Sequence, residues 1–119
     1  MANDTNALGS IGEDAAARWY KERGYRIVAR NWRCRIGELD LIVARDGLLV
    51  ICEVKTRAGP AFGGGYEAVT AKKQAKIRAV AEAFLGTTRS RPNSIRFDVA
   101  SVESVSLSRS TVELFEDAF

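Results

Sequence analysis

The chain has 119 residues, a net charge of +3 and no histidine, with 46% hydrophobic and 28% charged residues. This length and composition predict one folded domain with a modest core, and they exclude a disordered or fibrous chain. The absence of histidine excludes histidine general bases, Ser-His and Cys-His catalysis and mixed Cys/His zinc sites. Catalysis would therefore depend on carboxylates, amines, hydroxyls, thiols or a hard metal ion held by oxygen.

The start of the chain and its cysteines favour the cytoplasm. The first ten residues have neither a basic patch nor an apolar signal core. Cys34 and Cys52 are far apart, so we expect free thiols. No apolar run approaches the roughly 18 to 20 residues of a membrane span, so no membrane contact is expected. We also expect residues 1–8 and 116–119 to be flexible tails of the single domain 1–119.

Basic residues are concentrated in the middle of the chain. Residues 18–97 carry seventeen Lys and Arg against seven acidic residues, whereas the segments before and after have net charges of −3 and −4. A basic centre suits a polyanion partner such as nucleic acid. A solvated surface explains the same pattern equally well.

The predicted elements begin with a helix over about 10–23, because Ser10 and Glu13 have the spacing of a capping box. Tyr25–Trp32 alternates in polarity and predicts a strand. Residues 39–44 and 48–54 are β-rich runs on either side of an Asp-Gly pair, which is a strong hairpin signal.

Residues 57–65 contain a proline and three successive glycines and predict a loop. A second helix should begin after Thr70 and end at Gly86. Its apolar positions have helical spacing: Ile77, Val80, Ala81, Phe84 and Leu85. Strands over residues 95–99 and 111–115 complete the order α-β-β-β-α-β(-β), which predicts an α/β fold with a mixed sheet flanked by helices.

The predicted hairpin sets a register for its charged residues. With residues 46–47 at the centre of the turn, Asp40 falls opposite Glu53, and Glu38 falls opposite Lys55. Because strand side chains alternate with period two, all four are expected on one face. Directly opposed residues have Cβ atoms about 5 Å apart, so two carboxylates at such positions repel each other.

This repulsion needs compensation, because the flanking residues are apolar and water would compensate poorly. A divalent cation bound by Asp40 and Glu53 would remove it, and Lys55 would orient a water molecule or stabilise charge on a phosphate. The alternative is that Asp40 lies at a hydrated strand end and Glu53 pairs with Lys55 or an arginine. Glu38 is expected to pair with Lys55 or to bind metal through water.

The same residues carry a family resemblance. Asp40 followed by Glu53-Val54-Lys55 resembles the PD-(D/E)xK nuclease signature. Together with residues 37–42 and 53–57, the chain from about residue 9 to 99 is similar to the YraN-type family of small uncharacterised bacterial proteins. That family is distantly similar to archaeal Holliday-junction resolvases. Leu39 stands where the signature has its nominal proline.

The resemblance implies a restriction-endonuclease-like three-layer core and cleavage of DNA, including branched or structured DNA, with Mg²⁺ or Mn²⁺. It implies that Asp40 and Glu53 are metal ligands, that the carbonyl of Val54 is a further ligand, and that Lys55 is the catalytic lysine. A homodimer would suit cleavage of both strands of a junction, by analogy alone.

Two helical residues are weaker candidates for the same site. Glu13 matches an acidic residue on the first helix of related resolvases, although the capping box explains it equally well. Gln74 matches a glutamine on the second helix of related nucleases. Gln74 and Lys73 are expected to point inward, although extension of both side chains to solvent explains their positions equally well. Lys72 and Lys76 are expected on the outer side of this helix.

Six basic residues are candidate nucleic-acid contacts: Lys72, Lys73, Lys76, Arg33, Arg35 and Arg57. The function predicted from these residues is a metal-dependent nuclease. A non-catalytic nucleic-acid-binding module on the same fold is the main alternative, and a structural protein with Asp40 and Glu53 in salt bridges is the third.

Overall fold

A computed structural model describes residues 4–58, 69–89, 91–106 and 109–119. These residues form two helices and five strands: α1 (Asp4–Glu22), β1 (Arg26–Arg33), β2 (Glu38–Arg45), β3 (Leu48–Ala58), α2 (Ala71–Leu85), β4 (Ser94–Ser106) and β5 (Arg109–Phe115). This confirms the predicted order, including the last strand. Neither of the two helices has the length and hydropathy that a membrane crossing needs.

The strands form one mixed sheet in the order β1-β2-β3-β4-β5. β3 and β4 are parallel and joined through α2, whereas the other neighbours are antiparallel. Residues of α1 pack in a hydrophobic cluster on one face of the sheet, and residues of α2 pack in a second cluster on the other face. The result is the three-layer α/β arrangement with a mixed sheet that the resemblance implied.

The β2–β3 hairpin has the predicted turn. Asp46 and Gly47 have φ values of 51° and 80°, and Arg45 pairs with Leu48. Positive φ at both central residues is what a two-residue hairpin turn requires, which explains why Asp-Gly is found there. The predicted register is confirmed from this turn as far as the pair Leu41↔Cys52.

Helix α2 begins and ends where its capping residues predict. The side chain of Thr70 accepts a hydrogen bond from Lys73 N at 3.2 Å, and Gly86 is the C-cap. Its buried residues are the five apolar positions named from the sequence. An apolar stripe of this kind holds a helix against a sheet by burial.

Helix α1 corrects a sequence prediction. It begins at Asp4 rather than at about residue 10, so Ser10 lies inside the helix and does not cap it. Leu8 and Ile11 are partly buried and continue the apolar helical spacing to the buried Ala15. Packing on this stripe keeps the upstream residues helical, and the Ser-x-x-Glu pattern falls in the helix interior by coincidence.

Two strands also differ from expectation, β1 in its alternation and β3 in its length. Strand β1 has a bulge between Ile27 and Ala29, so Ile27 packs in the α1-side cluster and Ala29 packs against the α2-side cluster. The predicted simple alternation is therefore wrong here, because a bulge inserts one extra residue and reverses the facing. Strand β3 continues through Arg57 and Ala58, where a loop was predicted. Residues 59–65 of that predicted loop lie outside the described residues.

The C-terminal end of the described chain contacts the rest of the domain. Phe119 stacks on Phe97 with a centroid distance of 5.2 Å, and Ala118 N donates to Phe97 O at 2.7 Å. The mobility of residues 1–8 and 116–119 stays a prediction.

A buried carboxylate ties three parts of the fold together. Asp98 is fully buried in β4. It accepts hydrogen bonds from Tyr20 Oη of α1 at 2.6 Å and from Asp117 N at 2.9 Å, and it forms a two-pronged ion pair with Arg96 at 2.9 and 3.0 Å. Because its charge is paired and hydrogen-bonded, burial of Asp98 is tolerated.

The close approach of α1 to β3 gives a direct test of this packing. A Cβ atom at Gly12 would overlap the Thr56 side chain, whose Cβ and Cγ2 would each lie at 2.9 Å. We expect Gly12→Ala to lower the free energy of unfolding in urea by about 1–3 kcal/mol through overpacking.

Gly9→Ala is the matched control, since Gly9 lies in the same helix and a Cβ there would meet nothing within 4 Å. This change should be neutral or stabilise by up to about 1 kcal/mol through helix propensity. Equal effects of the two substitutions would contradict the packing.

Candidate functional site

The candidate site lies where β2 and β3 separate. Their ladder ends at Leu41↔Cys52, and the N–H of Val54 donates to Oδ2 of Asp40 at 2.9 Å. Leu41 packs in the α1-side cluster but Leu39 packs in the α2-side cluster, so the alternation of β2 is broken at Asp40. The Asp40 carboxylate therefore bridges to the backbone of β3.

This geometry corrects the predicted opposition of four charged residues. The β2–β3 register ends at Leu41↔Cys52, so the extrapolated pairs Asp40–Glu53 and Glu38–Lys55 do not form. On their other edges, Glu38 pairs with Arg33 of β1 and Lys55 pairs with Ser101 of β4. The physical reason is that a side-chain carboxylate takes a backbone donor that a continuing ladder would have used.

Asp40 and Glu53 nevertheless remain neighbours. Glu53 is only 8% exposed, and its Oε2 atom has no hydrogen-bond partner among the described residues. The pKa of Glu53 is raised from its ordinary 4.5 to about 7, first by burial and then by the charge of Asp40, against the opposing effects of Lys73 and of a hydrogen bond from Asp40 N–H. Glu53 is thus a buried acid poised to lose a proton near neutral pH.

The pKa of Asp40 is also raised, first by burial. The hydrogen bond from Val54 N–H opposes this rise, the charges of Glu13 and Glu38 add to it, and Lys73 lowers it. Acidic residues from α1 and β2 and a lysine from α2 therefore act on one carboxylate. Their effects show that both layers bring charge to this end of the sheet.

A cleft of about 600 Å³ opens beside these carboxylates. Its walls come from the ends of β1, β2 and β3, the turn between β1 and β2, and the first half of α2. It is lined by three acidic residues (Glu38, Asp40, Glu53), three basic residues (Arg33, Lys73, Lys76) and four small or apolar residues (Cys34, Gly37, Ile77, Val80). Its volume is in the range of small-molecule sites.

Helix α2 places two lysines in the cleft. Lys73 and Lys76 both line it from exposed positions. The outer position predicted for Lys76 agrees with its exposure, and Lys73 follows the alternative in which its side chain reaches solvent. A Cβ at Gly37 would lie 3.2 Å from Cε of Lys76 and 3.3 Å from Cγ2 of Val80. The missing side chain of Gly37 thus lets α2 come close, and the Lys76 stem lies against the strand end.

Gln74 has a structural partner instead. Its Nε2 donates to the carbonyl of Val69 at 2.7 Å, so it holds the segment that leads into α2. It does not line the cleft. A direct role of Gln74 in catalysis stays a prediction.

Glu13 and Glu38 are both engaged with neighbours. Glu13 accepts a hydrogen bond from Nδ2 of Asn31 at 2.9 Å and lies 3.7 Å from Arg30. The predicted capping role of Glu13 is wrong because α1 begins at Asp4, well before its position, whereas the charge of Glu13 acts on Asp40. Glu38 accepts a hydrogen bond from Nε of Arg33 at 2.9 Å, which makes an exposed ion pair at the rim of the cleft.

Lys55 and Val54 follow Glu53 on β3. Lys55 is half-buried and does not line the cleft. The Val54 N–H faces Asp40, and the carbonyl of a strand residue points to the same neighbouring strand as its N–H. The Val54 carbonyl therefore faces the gap between β2 and β3.

The remaining basic candidates are spread around the domain. Arg57 is half-buried in β3, whereas Arg35 and Lys72 are exposed. Arg35 borders a shallow cavity with Cys34 and Ile36, beside the cleft. Contacts of these residues with nucleic acid stay predictions.

The acidic group at this site is a pair rather than a larger cluster. Within residues 4–58, 69–89, 91–106 and 109–119, no group of three or more acidic or cysteine side chains is arranged to hold a metal ion. The candidate donors are the carboxylates of Asp40 and Glu53, with Glu13 and Glu38 paired to other residues nearby.

Comparison with known proteins identifies the family. Residues 12–102 match the model of the uncharacterised protein family UPF0102. The chain belongs to the UPF0102 family. A UPF0102 protein of Frankia alni is 47% identical over 115 residues, which is 96% of this chain and 95% of the relative. Another from Symbiobacterium thermophilum is 46% identical over 112 residues, which is 94% and 95% of the two chains.

The family assignment confirms the likeness to an uncharacterised bacterial family that the residues around Asp40 and Glu53 indicated. UPF0102 is a family without an assigned activity. The function of this UPF0102 protein therefore has to be argued from its site.

The raised pKa of Glu53 makes stability depend on pH. A carboxyl whose pKa is higher in the folded than in the unfolded chain stabilises the fold below its unfolded pKa, and this contribution is lost as pH rises through the folded value. For Glu53 the loss occurs between about 4.5 and 7. In EDTA, Glu53→Gln should therefore raise the free energy of unfolding at pH 8.5 by on the order of 2–3 kcal/mol and change it little at pH 5.

The matched control is Glu82→Gln, an exposed glutamate on α2. Urea denaturation at both pH values should show no pH-dependent difference between this variant and the wild type. The assignment fails if Glu53→Gln follows the wild-type pH dependence as closely as the control does.

Proposed function

We propose that this UPF0102 protein is a divalent-metal-dependent phosphodiester hydrolase of the PD-(D/E)xK kind that acts on DNA. The observation that carries the proposal is the pair of neighbouring carboxylates, the half-buried Asp40 and the buried Glu53, beside an open cleft, with a Glu53 oxygen that no described residue hydrogen-bonds. A buried carboxylate without a partner is unfavourable, and a bound cation would supply the missing charge and coordination.

The residues fit a hard divalent cation. Mg²⁺ and Mn²⁺ prefer carboxylate, carbonyl and water oxygens, and Mg²⁺ uses one or two carboxylates while it keeps several waters. Asp40 and Glu53 would supply the carboxylates, and the carbonyl of Val54 faces the same gap. When bound, such an ion polarises a phosphoryl oxygen and lowers the pKa of a water molecule.

The lysines and the arginine of the cleft supply the complementary chemistry. Lys73 and Lys76 line the same cleft as the carboxylates, and Arg33 lies at its rim. A lysine in the first turn of a helix is unfavourable with the helix dipole, so a phosphate close to Lys73 would relieve that cost. In this proposal Lys73 and Lys76 hold the scissile phosphate against the carboxylates, and Lys55 stabilises the charge that develops on it.

Cleavage of linear, flapped and four-way DNA with Mg²⁺ or Mn²⁺ tests the proposal. Asp40→Asn and Glu53→Gln should each lower the cleavage rate by on the order of 100-fold or more, since loss of groups that merely support a metal ligand costs about 10–100-fold. Lys55→Ala should lower the cleavage rate by about 10²–10³-fold, because Lys55 is proposed to stabilise the transition state. Lys73→Ala should lower it by a smaller factor, because Lys73 is proposed only to position the phosphate.

Asp117→Asn is the matched control for Asp40→Asn. It makes the same substitution at an exposed residue that does not line the cleft, and asparagine tolerates the positive φ of 53° there as well as aspartate does. Wild-type cleavage by Asp40→Asn would refute the site. DNA binding without cleavage by the wild type, on every substrate and with either ion, would refute the hydrolase and favour a binding module.

A further inference from the structure

A second cavity lies at the opposite end of the sheet, around the β2–β3 turn. This hairpin cavity, as we name it, has a volume of about 480 Å³ and is walled by β1, the hairpin, the end of α2 and the segment that follows α2. Besides Pro92, six apolar residues contribute to its lining: Val28, Ala44, Leu48, Leu49, Phe84 and Leu85. It is separated from Asp40 by the five residues of β2 up to Arg45, or ~17 Å at the rise of an extended strand.

The charged residues that line the hairpin cavity are mostly arginines. Four arginines (Arg26, Arg45, Arg89 and Arg91) accompany a single acid, Asp46. Such an excess of one sign around a concave apolar surface focuses a positive potential into the cavity. Its ligand should therefore be an anion.

Three of these arginines are available for a ligand. Arg45 lies over the Tyr25 ring at 4.2 Å and donates to Arg23 O at 2.6 Å, which holds its guanidinium in place. Arg26, Arg89 and Arg91 are exposed, and no carboxylate of the described ranges forms an ion pair with them. Their positive charge is therefore not neutralised by a carboxylate within this part of the protein.

The end of α2 does not need these arginines as caps. Hydroxyl groups of Thr87 and Thr88 donate to the carbonyls of Phe84 and Leu85 at 2.7 and 3.1 Å. These bonds satisfy the terminal carbonyls that a basic side chain often caps. A structural role at the helix end therefore does not explain the arginines.

The wall that carries Arg91 is fixed to the hairpin. Asn93 N donates to Gly47 O at 2.8 Å, and a Cβ at Gly47 would lie 2.6 Å from Nδ2 of Asn93. The glycine of the turn thus allows the segment before β4 to lie against it. The arginine on this wall is presented by a backbone that is held in place.

We propose that the hairpin cavity binds one nucleotide unit of single-stranded nucleic acid, with the phosphate at Arg89 and Arg91 and the base on the apolar lining. Arginine pairs with phosphate through two parallel hydrogen bonds, and its planar group also stacks on bases. A nucleotide combines the two features that the cavity offers, since it has an anionic group and a flat body that loses water on binding. A membrane surface fits less well, because the apolar residues here form a recess and do not protrude.

The test is fluorescence anisotropy with a labelled 12-nucleotide DNA strand in EDTA, where cleavage does not occur. Arg89→Gln/Arg91→Gln should weaken binding by at least 10-fold at low salt. The slope of log K against log [salt] should also become less negative by about one to two, which is the change expected for the loss of two phosphate contacts. Unlabelled deoxyadenosine monophosphate should displace the strand at concentrations at least 10-fold below those of inorganic phosphate.

Arg18→Gln/Arg109→Gln is the matched control, because it removes two exposed arginines that do not line the cavity and changes the net charge equally. It should weaken binding less than 3-fold. Circular dichroism and the urea midpoint confirm that both double variants fold, and Arg26→Gln provides a second variant at the cavity rim with the same expected direction.

Three results would overturn the proposal. The first is an equal loss of strand binding in the two double variants, and the second is equal competition by phosphate and the mononucleotide. The third is that Arg89→Gln/Arg91→Gln loses binding to phosphatidylglycerol vesicles while its binding of the strand is unchanged. Competition by the mononucleotide at micromolar concentration would identify a free nucleotide as a ligand, whereas millimolar competition would identify a strand; either supports the site. Because the assay contains EDTA and scores no cleavage, its failure would leave the hydrolase proposal untouched.

Discussion

The candidate site depends on one hydrogen bond, from the backbone N–H of Val54 to the carboxylate of Asp40. It forms where the β2–β3 ladder ends, and it brings an acidic side chain into the gap beyond the apolar paired residues of the two strands. Glu53 lies next to that gap, and none of the described residues hydrogen-bonds its Oε2 atom. The two outer layers then add charge of opposite sign, with Glu13 from α1 and Lys73 from α2 both acting on Asp40.

Local signals in the sequence predicted much of this arrangement. The hairpin register follows from the Asp-Gly turn, because two residues with positive φ leave one pairing between the strands. Helix α2 follows from Thr70, Gly86 and the apolar stripe between them. These features brought Asp40, Glu53 and Lys73 to the same place, since each depends only on nearby residues and on one face being buried.

The parts that the sequence did not predict depend on contacts between distant segments. The early start of α1 depends on packing against the sheet, and the place of the exposed Lys76 in the cleft lining depends on how closely α2 approaches Gly37. The ladder ends at Asp40 because a side-chain carboxylate takes the place of a backbone acceptor. A register predicted from the alternation of side chains assumes an uninterrupted ladder and cannot include such a replacement. The hairpin cavity was missed because four separate segments contribute its lining.

The central claim is that Asp40 and Glu53 share one divalent ion, and calorimetry of Mn²⁺ binding in buffers of different ionisation enthalpy tests it most directly. With the pKa of Glu53 raised to about 7, binding at pH 6.5 should release roughly three-quarters of a proton, and binding at pH 8.5 should release almost none. Glu53→Gln should abolish the proton release and weaken the binding. Mn²⁺ binding that releases no proton at pH 6.5, or that is unchanged in Glu53→Gln and Asp40→Asn, would contradict the account.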